Sequence, residues 1–164
     1  MAVDMFLKID GISGESLDNK HKGEIDISSF SFGATQVSNA RASGAGAGKV
    51  SFQDIHISSP VNVASPKLFQ ACATGQHFKK AVLTCRKAGG DQGIEFLKLT
   101  LTDLLVSSFS NGSNPLDSGF SSLAGEDAFP TDQFSLSFAK IELDYTSQRL
   151  PGTVSSADAS VDGN

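Results

Sequence analysis

The chain has 164 residues, room for one domain of ordinary size, and 43 of them are Leu, Ile, Val or Phe, enough to build a core. Lys and Arg number 13 against 18 Asp and Glu; the formal charge of −5 excludes a basic phosphate-binding face and a helix made for anionic membranes. No run approaches the roughly 18 apolar residues of a membrane span, MAVDMFLKID lacks the order of a cleaved secretion signal, and two cysteines are too few for a disulfide scaffold.

A first strand is predicted over residues 4–10, followed by a polar loop at 11–23, GISGESLDNKHKG. The alternation then changes phase. In EIDISSFSFG, Ile25 and Ile27 share one face before Phe30 and Phe32 take the other parity. Residues 33–49, GATQVSNARASGAGAGK, read as a long extended loop poor in side chains. It leads into KVSFQDIHIS, where Val50 and Phe52 give way to Ile55 and Ile57. A helix is predicted over 65–75, with Ser65 as N-cap, Pro66 at the first helical position, Gly75 at the C-terminal cap and a buried stripe of Leu68, Phe69 and Cys72.

Strands follow at 78–87 and 93–109, joined by a hairpin connection at 88–93. The second holds Leu97, Leu99 and Leu101 on one parity and Leu104 and Val106 on the other, so the phase changes at Thr102–Asp103. A polar connection at 110–132 precedes TDQFSLSFAKIELDY, where Phe134, Leu136 and Phe138 yield to Ile141, Leu143 and Tyr145. Each phase change requires an inserted residue or a strand that leaves one packing layer for another. The expected fold is mainly β: a compact antiparallel β-barrel of two packed, strongly bent sheets, with one short flanking α-helix and the extended loop. It occupies a single domain over 1–146, and the polar tail at 147–164 is expected to be disordered.

No catalytic, cofactor-binding or metal-binding constellation emerges. GAGAGKVS misses the phosphate-binding loop, because Ser43 stands where its first glycine belongs and Val50 where its hydroxyl belongs. The pair Cys72 and His77 could be nucleophile and base, but Cys72 falls on the predicted buried stripe, where a cysteine is a small core hydrophobe. His21, His56 and His77 lack metal-ligand spacing. The carboxylates Asp26, Asp54, Glu95, Asp103, Glu142 and Asp144 are dispersed, and polar outward faces account for them. A Cys72–Cys85 bridge is geometrically conceivable, and a reducing compartment disfavours it.

SGAGAG has almost no side chains, so its backbone can approach another subunit closely; a floppy linker is the plain alternative. Ordering such a loop costs on the order of 20 kcal/mol, so it is expected to be mobile unless a neighbour fixes it. The candidate contacts between subunits or rings are Arg41, Ser43, Gly44, Ala45, Gly46, Ala47, Gly48 and Lys49.

Over residues 1–146 the sequence resembles the Hcp (haemolysin-coregulated protein) family, the inner-tube subunits of the bacterial type VI secretion system. The resemblance is carried by MAVDMFLKIDGISGES, HKGEIDISSFSFG, GAGAGKVSFQDIHIS, SPKLFQACATGQHF, AVLTCRKAGG and LLVSSFS, in that order. It implies a β-barrel with one flanking helix, assembling as a homo-oligomer: rings of six around a channel, stacked into a tube. The implied partners are further copies of the chain, a spike protein, sheath components and effector proteins carried in the channel, without nucleic acid, membrane insertion or a cofactor. The protein is then cytoplasmic before export and secreted by the machine without a leader, and no fused toxin domain is expected. Two departures stand out: Phe30 and Phe32 replace tryptophans common in relatives, and PGTVSSADASVDGN replaces their glycine–aromatic ending. A non-enzymatic tube subunit and carrier is therefore the leading reading. A monomeric ligand-binding β-barrel is the alternative, and a hydrolase using dispersed carboxylates stands behind it.

Overall fold

The computed structural model describes residues 3–37, 49–87, 93–112, 129–147 and 156–162. Ten strands and one helix are assigned within them: β1 (Val3–Ile9), β2 (Ile25–Asp26), β3 (Ser29–Ser31), β4 (Ala34–Val37), β5 (Lys49–Phe52), β6 (Ile55–Pro60), α1 (Ser65–Thr74), β7 (His77–Lys87), β8 (Glu95–Gly112), β9 (Thr131–Thr146) and β10 (Ser156–Asp162). One antiparallel sheet runs β2-β1-β7-β8-β9-β6-β3, with β10 added to β9, while β4 and β5 pair only with each other.

This sheet closes on itself. Ile25 and Asp26 pair with β1, and Ser29–Ser31 pair with β6, so one short segment serves both ends of the strand order. Between them Ile27 N–H donates to Met5 O at 3.0 Å and Ser28 N–H to Ser58 O at 2.8 Å. The strongly bent sheet is thus continuous around the barrel, and the core is filled by Leu7, Ile25, Ile55, Leu68, Leu99, Leu104, Phe134 and Leu136.

The phase changes have two origins. Those near Ile27 and Gln53 fall at strand breaks, between β2 and β3 and between β5 and β6. Those in β8 and β9 fall inside unbroken strands and at one level. Thr102 pairs with Lys140 and Leu104 with Phe138, so Asp103 stands level with Ala139. Asp103 has φ of 51°, a left-handed conformation that a short polar side chain tolerates better than most and that turns the strand's inward face. Buried residues change parity across this level in three neighbouring strands: Phe78 and Ala81, Leu104 and Leu101, Leu136 and Ile141. Separate register shifts occur at Cys85/Arg86 and at Val106/Ser108.

Helix α1 matches its expected span, and Gly75 closes it at φ 66° with its N–H on Ala71 O. Its start and its inward face differ from expectation. The N-cap is Ala64, without a side-chain bond, because the Ser65 hydroxyl is turned inward to donate to Asp132. Asn62 Oδ1 accepts from Ala64 N–H at 2.8 Å instead. The buried face is Ser65, Leu68 and Ala71; Phe69 is 62% exposed and leans on Phe109, with ring centroids 5.8 Å apart.

The tail also departs from expectation. Residues 156–162 form β10, pairing Ser156 with Thr146 through Asp162 with Lys140. Strand β6 uses the same edge of β9 only as far as Leu136, which leaves a further row of backbone donors and acceptors. Satisfying that row needs no hydrophobic side chains, so a polar segment fills it.

Candidate assembly surfaces

The extended loop is a β-hairpin at its base. Ala34 pairs with Phe52 and Val37 with Lys49, and Gln53 N–H donates to Gly33 O at 2.8 Å where the arms meet the barrel. The side chains of residues 34–36 and 49–52 are exposed or half-buried, including Val50, and Phe32 just before the hairpin is 41% exposed. Phe32 stacks on Phe30 at 6.4 Å, and Phe52 meets the edge of Phe138 at 6.1 Å, so aromatic contacts set how the hairpin leaves the wall. Of the sequence-derived contact candidates, Lys49 is the exposed first residue of β5. Arg41, Ser43, Gly44, Ala45, Gly46, Ala47 and Gly48 lie outside the described residues.

Other apolar side chains face outward as well. Tyr145 on β9 and Val161 on β10 are each 44% exposed. An open depression of about 360 Å³ is lined by Ser29, Phe30, Ser31, His56, Ser108, Ser110 and Gln133, where β3, β6, β9 and the end of β8 meet. His56 is exposed there, and His77 is exposed at the start of β7.

The dispersed carboxylates go separate ways. Asp54 accepts from Ser107 Oγ at 2.6 Å, Glu142 pairs with Lys140 at 3.0 Å, and Asp26, Asp103 and Asp144 are exposed. No group of three or more His, Cys, Asp or Glu with metal-holding geometry occurs among the described residues. Both cysteines are free thiols: Cys72 is half-buried on α1, and burial pushes the Cys85 thiol up to about 11.

Sequence reading missed two polar hubs. Asp132 is fully buried and accepts from Ser65 Oγ and from Asn111 Nδ2, the latter at 2.7 Å, tying α1 and the end of β8 to β9. Arg86 is buried on β7 and donates to Asp18 in the 11–24 loop at 2.6 and 3.1 Å and to Asp4 on β1 at 3.2 Å. The Asp18 carboxyl is held well below the usual carboxylate range, first by the Arg86 hydrogen bonds and then by the backbone N–H groups of Lys20 and His21, against an opposing effect of burial. Under this clamp the loop folds back on itself, with Gly14 N–H on Gly23 O at 2.8 Å and Ser16 N–H on Glu24 O at 3.0 Å. A Cβ at Gly14 would lie 2.3 Å from Glu24 O, so only glycine permits that approach.

Comparison with known proteins addresses this whole barrel. A family model described as "Type VI secretion system effector, Hcp" matches residues 6–145. Protein hcp1 of Pseudomonas aeruginosa is 40% identical over 153 residues, covering 93% of this chain and 88% of its own length. The crystal structure of Hcp1 from Salmonella typhimurium superposes with a TM-score of 0.77 at 36% identity, covering 99% of this chain and 96% of that one. A type VI secretion system effector from Yersinia pestis gives 0.70 at 30% identity, with 96% and 100% covered. Among the described residues no helix is long and apolar enough to cross a membrane. The chain belongs to the Hcp family, the secreted, tube-forming structural subunits and effector carriers of the type VI secretion system.

Proposed function

We propose that this chain forms rings of six around a central channel and that the hairpin β4–β5, together with residues 41–49, supplies the contact between neighbouring subunits or rings. One observation carries the reading. Among the described residues the hairpin pairs only with itself, and it leaves Val50 exposed on β5 and Phe32 exposed just before β4. Apolar surface displayed on a projecting arm is stabilised by burial against another copy. A ring needs a head-to-tail contact whose rotation closes, and stacking needs a second contact that repeats without closing. The further partners are the spike, the sheath components and the effectors of the secretion machine. The chain itself catalyses no reaction and leaves the cell through that machine.

Native mass spectrometry and negative-stain microscopy of the purified protein test the reading. Closed rings of six identical subunits are expected. A monomer at high micromolar concentration, or a closed ring of another size, overturns it.

A further inference from the structure

The 11–24 loop carries a second fastening beside the Arg86 clamp. The His21 side chain is only 8% exposed, and both its ring nitrogens meet carboxylates: Nδ1 lies 2.9 Å from Glu24 Oε2 and Nε2 lies 3.1 Å from Glu95 Oε1. Glu24 belongs to the loop itself, whereas Glu95 opens β8. The imidazole stacks on Phe6 of β1 with centroids 4.3 Å apart, and the Arg86 guanidinium of β7, paired with Asp18 and Asp4, sits over the same phenyl ring at 5.1 Å. Lys98 Nζ lies 3.9 Å from the other oxygen of Glu95.

An ionised carboxylate only accepts hydrogen bonds, and a neutral imidazole has a single N–H. In its neutral form His21 would turn a lone pair on one of the two carboxylates. Only the imidazolium donates at both ends. We infer that His21 is a proton-dependent latch: the imidazolium ties the loop to the start of β8 through Glu95, and loss of that proton opens the tie. The Arg86–Asp18 pair stays ionised throughout the range in which a histidine titrates, so the loosening is confined to the loop segment around residues 19–24. The inference rests on side-chain geometry within one subunit and is independent of ring formation.

Amide hydrogen exchange of the full chain tests it, with rates corrected for the intrinsic effect of pH. Protection of residues 19–24 is expected to fall by about tenfold or more between about pH 5.5 and 8.5, while β7 keeps its protection. In Glu95→Gln the amide group offers both a donor and an acceptor to the ring, so the fall should be much smaller. Protection independent of pH in the wild type, or equal falls in both proteins, overturns the latch. Nitrogen-15 spectra of the imidazole give a second measurement that needs no variant. Two N–H groups while the segment is protected support the latch, and a single-N–H tautomer with the segment still protected overturns it.

Discussion

Arg86 Nη2 donates a 2.6 Å hydrogen bond to Asp18 Oδ2 across 68 positions of sequence, and this contact fastens the 11–24 loop to the barrel wall. Its acid sensitivity follows from the direction of the Asp18 shift. The folded protein holds the Asp18 proton more weakly than the unfolded chain does. The stabilisation is therefore fully present above the ordinary carboxylate pKa of about 3.9 and is lost as the pH falls below it. Urea midpoints measured from about pH 7 down to pH 2.5 should show Asp18→Asn less stable than wild type at neutral pH, with the gap closing below about pH 4. A gap that stays constant would mean that the pair contributes no charge-dependent stability.

Asp132 is the second anchor. Replacing it with Ala leaves the Ser65 hydroxyl and the Asn111 amide without their shared acceptor, at a cost of about 2–4 kcal/mol in denaturant melts. The loss should be accompanied by faster amide exchange in α1, because Ser65 is that helix's polar link to β9.

The hairpin separates assembly from folding. Phe32→Glu combined with Val50→Glu places charge on outward positions, so the circular dichroism spectrum should be unchanged while rings or stacks are lost in native mass spectrometry. Deleting residues 42–48 should weaken stacking or assembly in the same way and leave the barrel folded. Global unfolding of the deletion variant would show that this loop belongs to the core.

The two thiols should react unequally. With the Cys85 thiol pushed up to about 11 by burial, little thiolate exists at pH 8, and its side chain is almost wholly enclosed. Cys72 is half-buried and should be labelled first by a maleimide under native conditions. Equal labelling rates would mean that β7 opens to solvent as readily as α1.

These contacts mark where sequence reading succeeds and where it stops. Gly75 was legible because a left-handed helix end selects glycine. The β8 and β9 phase changes were visible as parity, although the level they share and the Asp103 conformation there were not. Phe69 was misplaced because adjacent helix positions lie about 100° apart, and spacing alone does not say which edge of the stripe turns inward. Arg86 looked like an ordinary strand residue, since its partners lie in β1 and in a loop remote along the chain. Strand β10 was invisible for another reason: backbone pairing to a vacant edge leaves almost no trace in side-chain pattern.

The segment from Ile25 to Ser31 has a kinetic corollary. Because it bonds β1 at one end and β6 at the other, it cannot collect both sets of partners until the intervening strands have come round. The seam is therefore sealed late, after the long-range search that dominates the folding time of such topologies. Substitutions along it should hasten unfolding far more than they retard folding.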